Sequence, residues 1–196
     1  MVLASLGRPS PAAAAFANAR ALATRGFAVP DVVAAVEFRY GGFCTHSFFV
    51  TRAVEGAETA DLRWRALRAA PDAPARRRDL RAFACGLGDL FRRLHAAGVY
   101  HNDLKDVNVL VRGPSAAPAW VLLDLERVQF RDALGRRRRA KNLVQIERTL
   151  GRAASRADRL RFLRAYLGAS AGRAKRRAWV ASVLGAADTK ERQRRR

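Results

Sequence analysis

Lysine is scarce in this chain. Four of its 38 basic residues are lysines, Lys105, Lys141, Lys175 and Lys190, which leaves 34 arginines. Cysteine is scarce too: Cys44 and Cys85 lie far apart and in no metal-ligand spacing, so neither a disulfide framework nor a thiolate metal site is expected. Two free, reduced thiols fit a cytoplasmic protein. No apolar run approaches the roughly 18 residues of a membrane-spanning helix. Met1 to Leu6 has no basic n-region, so a signal peptide is not expected, although Ala12 to Ala15 superficially resembles a small-residue cleavage zone. Acidic residues number only 17, giving a net charge of +21. No zinc spacing, aromatic stacking motif or helix-turn-helix signature accompanies that charge, so no nucleic-acid partner is expected. Arginine and alanine dominate together, as a GC-rich coding sequence would also produce. The charge therefore predicts attraction to polyanions without identifying one.

What is present suits one folded domain, or one and part of another, in 196 residues of which 49% are hydrophobic. Ser10 to Thr24 reads as a helix, with Ser10 as N-cap, Pro11 in the first turn and a stripe of Phe16, Ala19, Leu22 and Ala23. Val32 to Arg39 and His46 to Thr51 read as a strand pair about Gly41-Gly42. A helix from Ala60 to Ala69, a turn at Pro71 to Pro74 and a long amphipathic helix from Arg77 to Ala97 follow, the last ended by Gly98. Val109 to Val111 and Trp120 to Leu123 read as a hairpin of short buried strands. The remainder reads as helices over Ala140–Gly151, Ser155–Leu167 and Gly172–Leu184, then a frayed basic tail from Thr189 to Arg196. The order predicts an α+β fold. Trp64, Trp120 and Trp179 are expected to pack, and His46 and His95 to be structural.

The chemically informative segment is His101-Asn102-Asp103-Leu104-Lys105-Asp106-Val107-Asn108, directly after the long helix and before a strand. Sixteen residues past Asn108, Asp124-Leu125-Glu126 closes the next strand. Phosphoryl transfer from ATP needs such parts: one carboxylate to meet the attacking hydroxyl, a neutral oxygen donor and a second carboxylate for magnesium, and a lysine for the γ-phosphate.

The pattern H-x-D-L-K-x-x-N resembles the protein-kinase-like superfamily. The resemblance implies that Asp103 is the catalytic base, that Asn108 and Asp124 hold Mg2+, that Lys105 contacts the γ-phosphate of ATP, and that His101 orients the loop. Within the superfamily the chain is most similar to the lipopolysaccharide core kinases, which phosphorylate Kdo or heptose. The likeness runs from about residue 10 to 185 and is carried by Ala17-Asn18-Ala19-Arg20-Ala21-Leu22, Phe49-Val50-Thr51, Leu94 to His101, Asp124 to Val128 and Phe162 to Leu167. It implies a protein-kinase-like fold with a truncated N-lobe over 1–54, bearing an αC-like helix and two strands. A mainly helical C-lobe over 55–188 and a basic tail over 189–196 follow.

Departures from the pattern narrow the reading. Asn102 stands where many regulated protein kinases have an arginine that pairs with a phosphorylated activation loop, so such regulation is not expected. Asp124-Leu125-Glu126 lacks the glycine of D-F-G, and no A-P-E follows, which disfavours a protein substrate. The superfamily's glycine-rich loop and ATP-binding lysine have no counterpart: no lysine precedes Lys105, and Ala15 stands at the αC glutamate position. A missing N-terminal piece is the favoured explanation, because the other site residues are intact.

The expected function is transfer of phosphate from ATP to a sugar hydroxyl of the lipopolysaccharide inner core. The partner would be that core or a lipid A precursor glycolipid, met in the cytoplasm or peripherally at the anionic inner membrane. The alternatives are another small-molecule kinase of the superfamily, or a catalytically impaired kinase-like binding module. The basic run Arg136 to Lys141 reads first as a solvated segment, and second as a contact for an acidic glycolipid at the membrane face.

Overall fold

The computed structural model describes residues 9–168 and 170–194. Its first helix, α1 (Pro11–Ala23), starts as its sequence dictates: the Ser10 hydroxyl accepts from the Ala13 N–H and Pro11 occupies the first turn. The small side chains Ala12, Ala15 and Ala19, with Leu22, form its buried face. Strands β1 (Val32–Tyr40) and β2 (Phe43–Thr51) make an antiparallel hairpin whose register runs from Val32↔Thr51 to Tyr40↔Phe43. The hairpin is longer than the sequence suggests. Gly41 and Gly42 both take positive φ, so a two-residue turn closes it and draws Phe43 to Thr45 into the ladder.

The helical part is built around α3 (Pro74–Ala96), which starts at Pro74 rather than Arg77 because proline suits the first helical turn. Its buried face, including Leu80, Phe83, Leu87, Leu90, Phe91 and Leu94, packs on α2 (Ala60–Ala69) and α5 (Arg156–Leu167). Gly88 permits the α3–α5 approach: a Cβ there would lie 2.4 Å from the Phe162 carbonyl oxygen. Trp64 and Trp120 sandwich Phe83, with ring centroids 5.1 Å away on each side, and Trp179 meets Tyr166 edge-on, so the three tryptophans pack as expected. Phe83, 2% exposed, is one such buried side chain, and full burial of a phenylalanine contributes about 1.5–3 kcal/mol of transfer free energy.

Three-residue strands escape the sequence reading because they are too short to show a period. β4 (Val99–His101) pairs antiparallel with β7 (Val128–Phe130), and β3 (Glu58–Thr59) lies beside β5 (Val109–Arg112) and β6 (Ala119–Leu122) in the order β3-β5-β6. Helix α4 (Arg136–Thr149) begins at Arg136, so the basic run supplies its first turns instead of preceding it at Ala140. Ser155 and Asp158 form a reciprocal capping box at the start of α5. Helix α6 (Arg173–Arg194) carries its backbone to Arg194, where a frayed tail from Thr189 was expected. No proline or glycine interrupts 186–194, and Lys190, Glu191, Arg192 and Gln193 are good helix formers. Residues 195 and 196 of the expected tail lie outside the described residues. The architecture is α+β, and the turn after β6 borders a cavity shared with α1 and β2.

Candidate active site

The 101–108 loop is anchored first by His101, which is 1% exposed. Its Nε2 lies 2.8 Å from the Leu123 carbonyl oxygen, and its Nδ1 lies 3.3 Å from the Asp103 backbone nitrogen. A carbonyl only accepts, so the proton sits on Nε2, and Nδ1 accepts from the Asp103 N–H. One neutral tautomer thus ties Asp103 to the residue before Asp124. Burial favours that neutral form and pushes the His101 pKa down.

The four predicted site residues meet. Lys105 Nζ is 2.6 Å from Asp103 Oδ2, both side chains being partly exposed. Asn108 Nδ2 donates to the Asp103 carbonyl at 2.9 Å and to Asp124 Oδ2 at 3.2 Å. The Leu123 N–H donates to the Asn108 carbonyl at 2.9 Å, holding the two segments side by side. Asp124 takes φ 55° and ψ 55°, a left-handed conformation that no other described non-glycine residue adopts. Held strain of this kind costs about 1–3 kcal/mol and is typical of functional positions.

The donor set suits magnesium. Asn108 spends its Nδ2 protons on Asp103 and Asp124, and its Oδ1 has no hydrogen-bond partner among the described residues. Among the described residues no cluster of three or more His, Cys, Asp or Glu forms. One carboxylate and one amide oxygen match Mg2+, which keeps waters and takes phosphate oxygens for the rest of its shell.

Helix α4 contributes groups that the motif did not reveal. Asn142 is fully buried; its Nδ2 donates to the His101 carbonyl at 2.6 Å and to Gln145 Oε1 at 2.9 Å. Gln145 Nε2 donates to the Asn102 carbonyl at 2.7 Å, and Lys141 Nζ reaches Asn102 Oδ1 at 3.1 Å. Behind Asn142, His95 bridges to Tyr166, which confirms His95 as structural. The available signal was Asn142 and Gln145, polar residues three apart among the apolar Leu143, Val144 and Ile146. His46 lies exposed on β2, opposite Phe38 in the ladder.

Two further residues frame the loop. Asn18, on the inner side of α1, donates through Nδ2 to the Leu125 carbonyl at 2.7 Å and the Val128 carbonyl at 3.2 Å. It thereby straps α1 to the turn following Asp124. Asp106 is buried, and burial raises its carboxyl pKa even though its Oδ1 accepts from the Val107 N–H at 3.0 Å. Between α1, β2 and Asp124 lies a cavity of about 280 Å³ lined by Ala12, Ala15, Ser47, Phe49 and Thr51 among others, with no basic side chain in its described lining.

The chain matches the Lipopolysaccharide kinase (Kdo/WaaP) family over residues 1–166. No curated protein matches it. Among solved structures it is similar to WaaP in complex with acyl carrier protein, with a TM-score of 0.74 and 25% identity over 93% of this chain and 76% of that one. The Rio2 kinase–ADP/Mg2+–phosphoaspartate complex from Chaetomium thermophilum aligns with a TM-score of 0.49 and 20% identity, over 95% of this chain and 55% of that one.

Proposed function

The chain belongs to the lipopolysaccharide kinase (Kdo/WaaP) family and has a protein-kinase-like fold, and from that premise we propose that it transfers the γ-phosphoryl of ATP to a sugar hydroxyl, of Kdo or heptose, in the lipopolysaccharide inner core. The observation that carries the reading is the junction at Asn108, which joins the Asp103 carbonyl to the Asp124 carboxylate while Lys105 pairs with Asp103.

In this mechanism Asp103 accepts the proton of the acceptor hydroxyl as its oxygen attacks phosphorus. Lys105, paired with Asp103 in this structure, turns to the transferring phosphoryl group and offsets its charge. Asn108 Oδ1 and the Asp124 carboxylate would hold Mg2+, whose positive charge would offset that of the phosphate oxygens. His101 and Asn142 fix the backbone of the loop that carries these groups. The acceptor is a glycolipid of the lipopolysaccharide core or a lipid A precursor, met peripherally at an anionic membrane surface. No helix among the described residues is long and apolar enough to cross a membrane.

The test is phosphate transfer from Mg-ATP to a Kdo-bearing lipid A acceptor, read by mass spectrometry. Asp103→Ala should lower turnover by about 10²–10⁴-fold with an unchanged circular dichroism spectrum. Turnover within tenfold of wild type would overturn the assignment of the base. One observation favours a second reading, a kinase-like binding module: the cavity beside Asp124 has no basic residue in its described lining. Thermal unfolding separates the two. A Mg-ATP-dependent rise in melting temperature that Asp124→Ala removes supports the enzyme; no rise supports the module.

A further inference from the structure

The basic run Arg136 to Lys141 is not one uniform surface. Arg136 lies over the Trp179 ring and donates to the Ala178 carbonyl, while Arg139 donates to the carbonyls of Leu134 and His95. These two bind the helical part together. Arg138 and Lys141, three residues apart on one face of α4, do something else. Arg138 Cζ is 5.9 Å and Lys141 Nζ 5.7 Å from the centroid of the Tyr100 ring. Tyr100 is only 4% exposed, so its ring is a fixed platform, whereas both cationic side chains are exposed. Neither cation pairs with a carboxylate among the described residues. Lys141 instead donates to a neutral oxygen, Asn102 Oδ1, at 3.1 Å, and the Tyr100 hydroxyl donates to that same oxygen at 3.2 Å. Asn102 immediately precedes Asp103, and consecutive Cα atoms are about 3.8 Å apart.

We propose that Lys141 and Arg138, seated on Tyr100 beside Asn102, form an oxyanion subsite that receives a carboxylate or phosphate substituent of the acceptor and so presents its hydroxyl to Asp103. Two unneutralised cations held on one buried ring, against the residue that immediately precedes the proposed base, form a receptor for a charged group. Charge-assisted hydrogen bonds to an oxyanion are short and directional, so the subsite orients as well as attracts. This assignment rests on the phosphotransferase reading for its purpose, but its binding step is measurable without turnover.

The experiment is equilibrium binding by calorimetry to the full chain and to Lys141→Gln, Lys141→Arg and Arg138→Gln. Two ligand pairs are used: Kdo against its methyl ester, and glucose 6-phosphate against glucose. Glutamine keeps an N–H donor for Asn102 and removes the charge, whereas arginine keeps the charge. The expected result is that one anionic ligand binds at least about tenfold more tightly than its neutral counterpart, that Lys141→Gln erases the difference, and that Lys141→Arg retains it. Loss in the Kdo pair assigns a carboxylate, and loss in the sugar-phosphate pair a phosphate. Equal binding of charged and neutral ligands, or a preference unaffected by Lys141→Gln, overturns the subsite. Phosphate transfer to a Kdo-bearing lipid A is assayed in parallel. Its failure while the anion preference persists would count against the phosphotransferase reading and leave the subsite standing.

Discussion

The Nε2–H of His95 donates to Oδ1 of Asn142 at 3.1 Å, and this bond joins the end of α3 to α4, from which Asn142 reaches the His101 carbonyl at the start of the loop that carries Asp103. Asn142 can then offer only its amide protons to the His101 carbonyl and Gln145. His95 Nδ1 accepts from the Tyr166 hydroxyl at 3.0 Å. Every polar atom in this relay has a partner, and only the neutral Nε2–H tautomer of His95 satisfies all of them.

That requirement makes folding sensitive to acid. Burial lowers the His95 pKa from 6.5 to about 4. Between those values the unfolded chain binds a proton that the folded one refuses, so stability rises with pH. The contribution is complete above pH 6.5 and is lost as pH falls toward 4, amounting to roughly 3 kcal/mol. Buried His101, also shifted downward, acts in the same direction. His95→Gln cannot titrate. Melting temperatures followed from pH 7 to pH 4 should fall less steeply for this variant than for wild type; parallel curves would refute the relay's role.

Removing Asn142 should affect both stability and turnover. Asn142→Ala leaves the His95 Nε2–H and the His101 carbonyl without partners in a buried place. Each such orphan costs about 1–3 kcal/mol, so urea unfolding should show a loss of about 2–6 kcal/mol. The 101–108 loop also loses its clamp. Turnover should therefore fall by about tenfold or more even where the variant is fully folded, since a displacement near 1 Å can cost about a hundredfold.

Glycines at 86 and 88 give a paired test of the α3 packing. A Cβ at 88 would meet the Phe162 backbone oxygen at 2.4 Å and Ala165 Cβ at 3.0 Å. A Cβ at 86 would meet first the Trp120 indole, at 3.1 Å from Nε1. Backbone cannot yield as a side chain can. Alanine gains about 1 kcal/mol of helix propensity at either position. Gly88→Ala should still be destabilised, by about 1–3 kcal/mol, while Gly86→Ala should stay close to wild type. Equal denaturation midpoints for the two would contradict the close α3–α5 approach.

Much of this was legible in the residues, and what was missed shares a physical cause. The Asp103, Lys105, Asn108 and Asp124 constellation stands out because its spacing is set by one loop and one hairpin, both local in sequence. Helix α1 was readable from Ser10 and Pro11, and α3 from its apolar period. Strands β4 and β7 were not, since a three-residue strand exists only through its distant partner. The Asn142–His95–Tyr166 relay was hidden for the same reason: its members are 47 and 71 residues apart. The charge run at Arg136 was read as one block, and only the helix sorts it into two residues that brace α6 and the core and two that face Tyr100.

Asn18 stood in a motif quoted for likeness alone, and the structure gives it work that can be tested. Its two donors hold the Leu125 and Val128 carbonyls on either side of the turn that follows the strained Asp124. The strap is the polar counterpart of the packing between α1 and that turn. Asn18→Ala removes both hydrogen bonds and frees Asp124 to leave its left-handed conformation. Asn18→Asp is worse, because a carboxylate would face two carbonyl oxygens with nothing to donate. The expected order of Mg-ATP stabilisation in thermal unfolding is wild type, then Asn18→Ala, then Asn18→Asp. Gly88→Ala, which weakens the fold at a distance from the turn, should keep the full shift. If Gly88→Ala loses the shift as completely as Asn18→Asp does, general destabilisation explains both, and the strap has no specific part in holding Asp124.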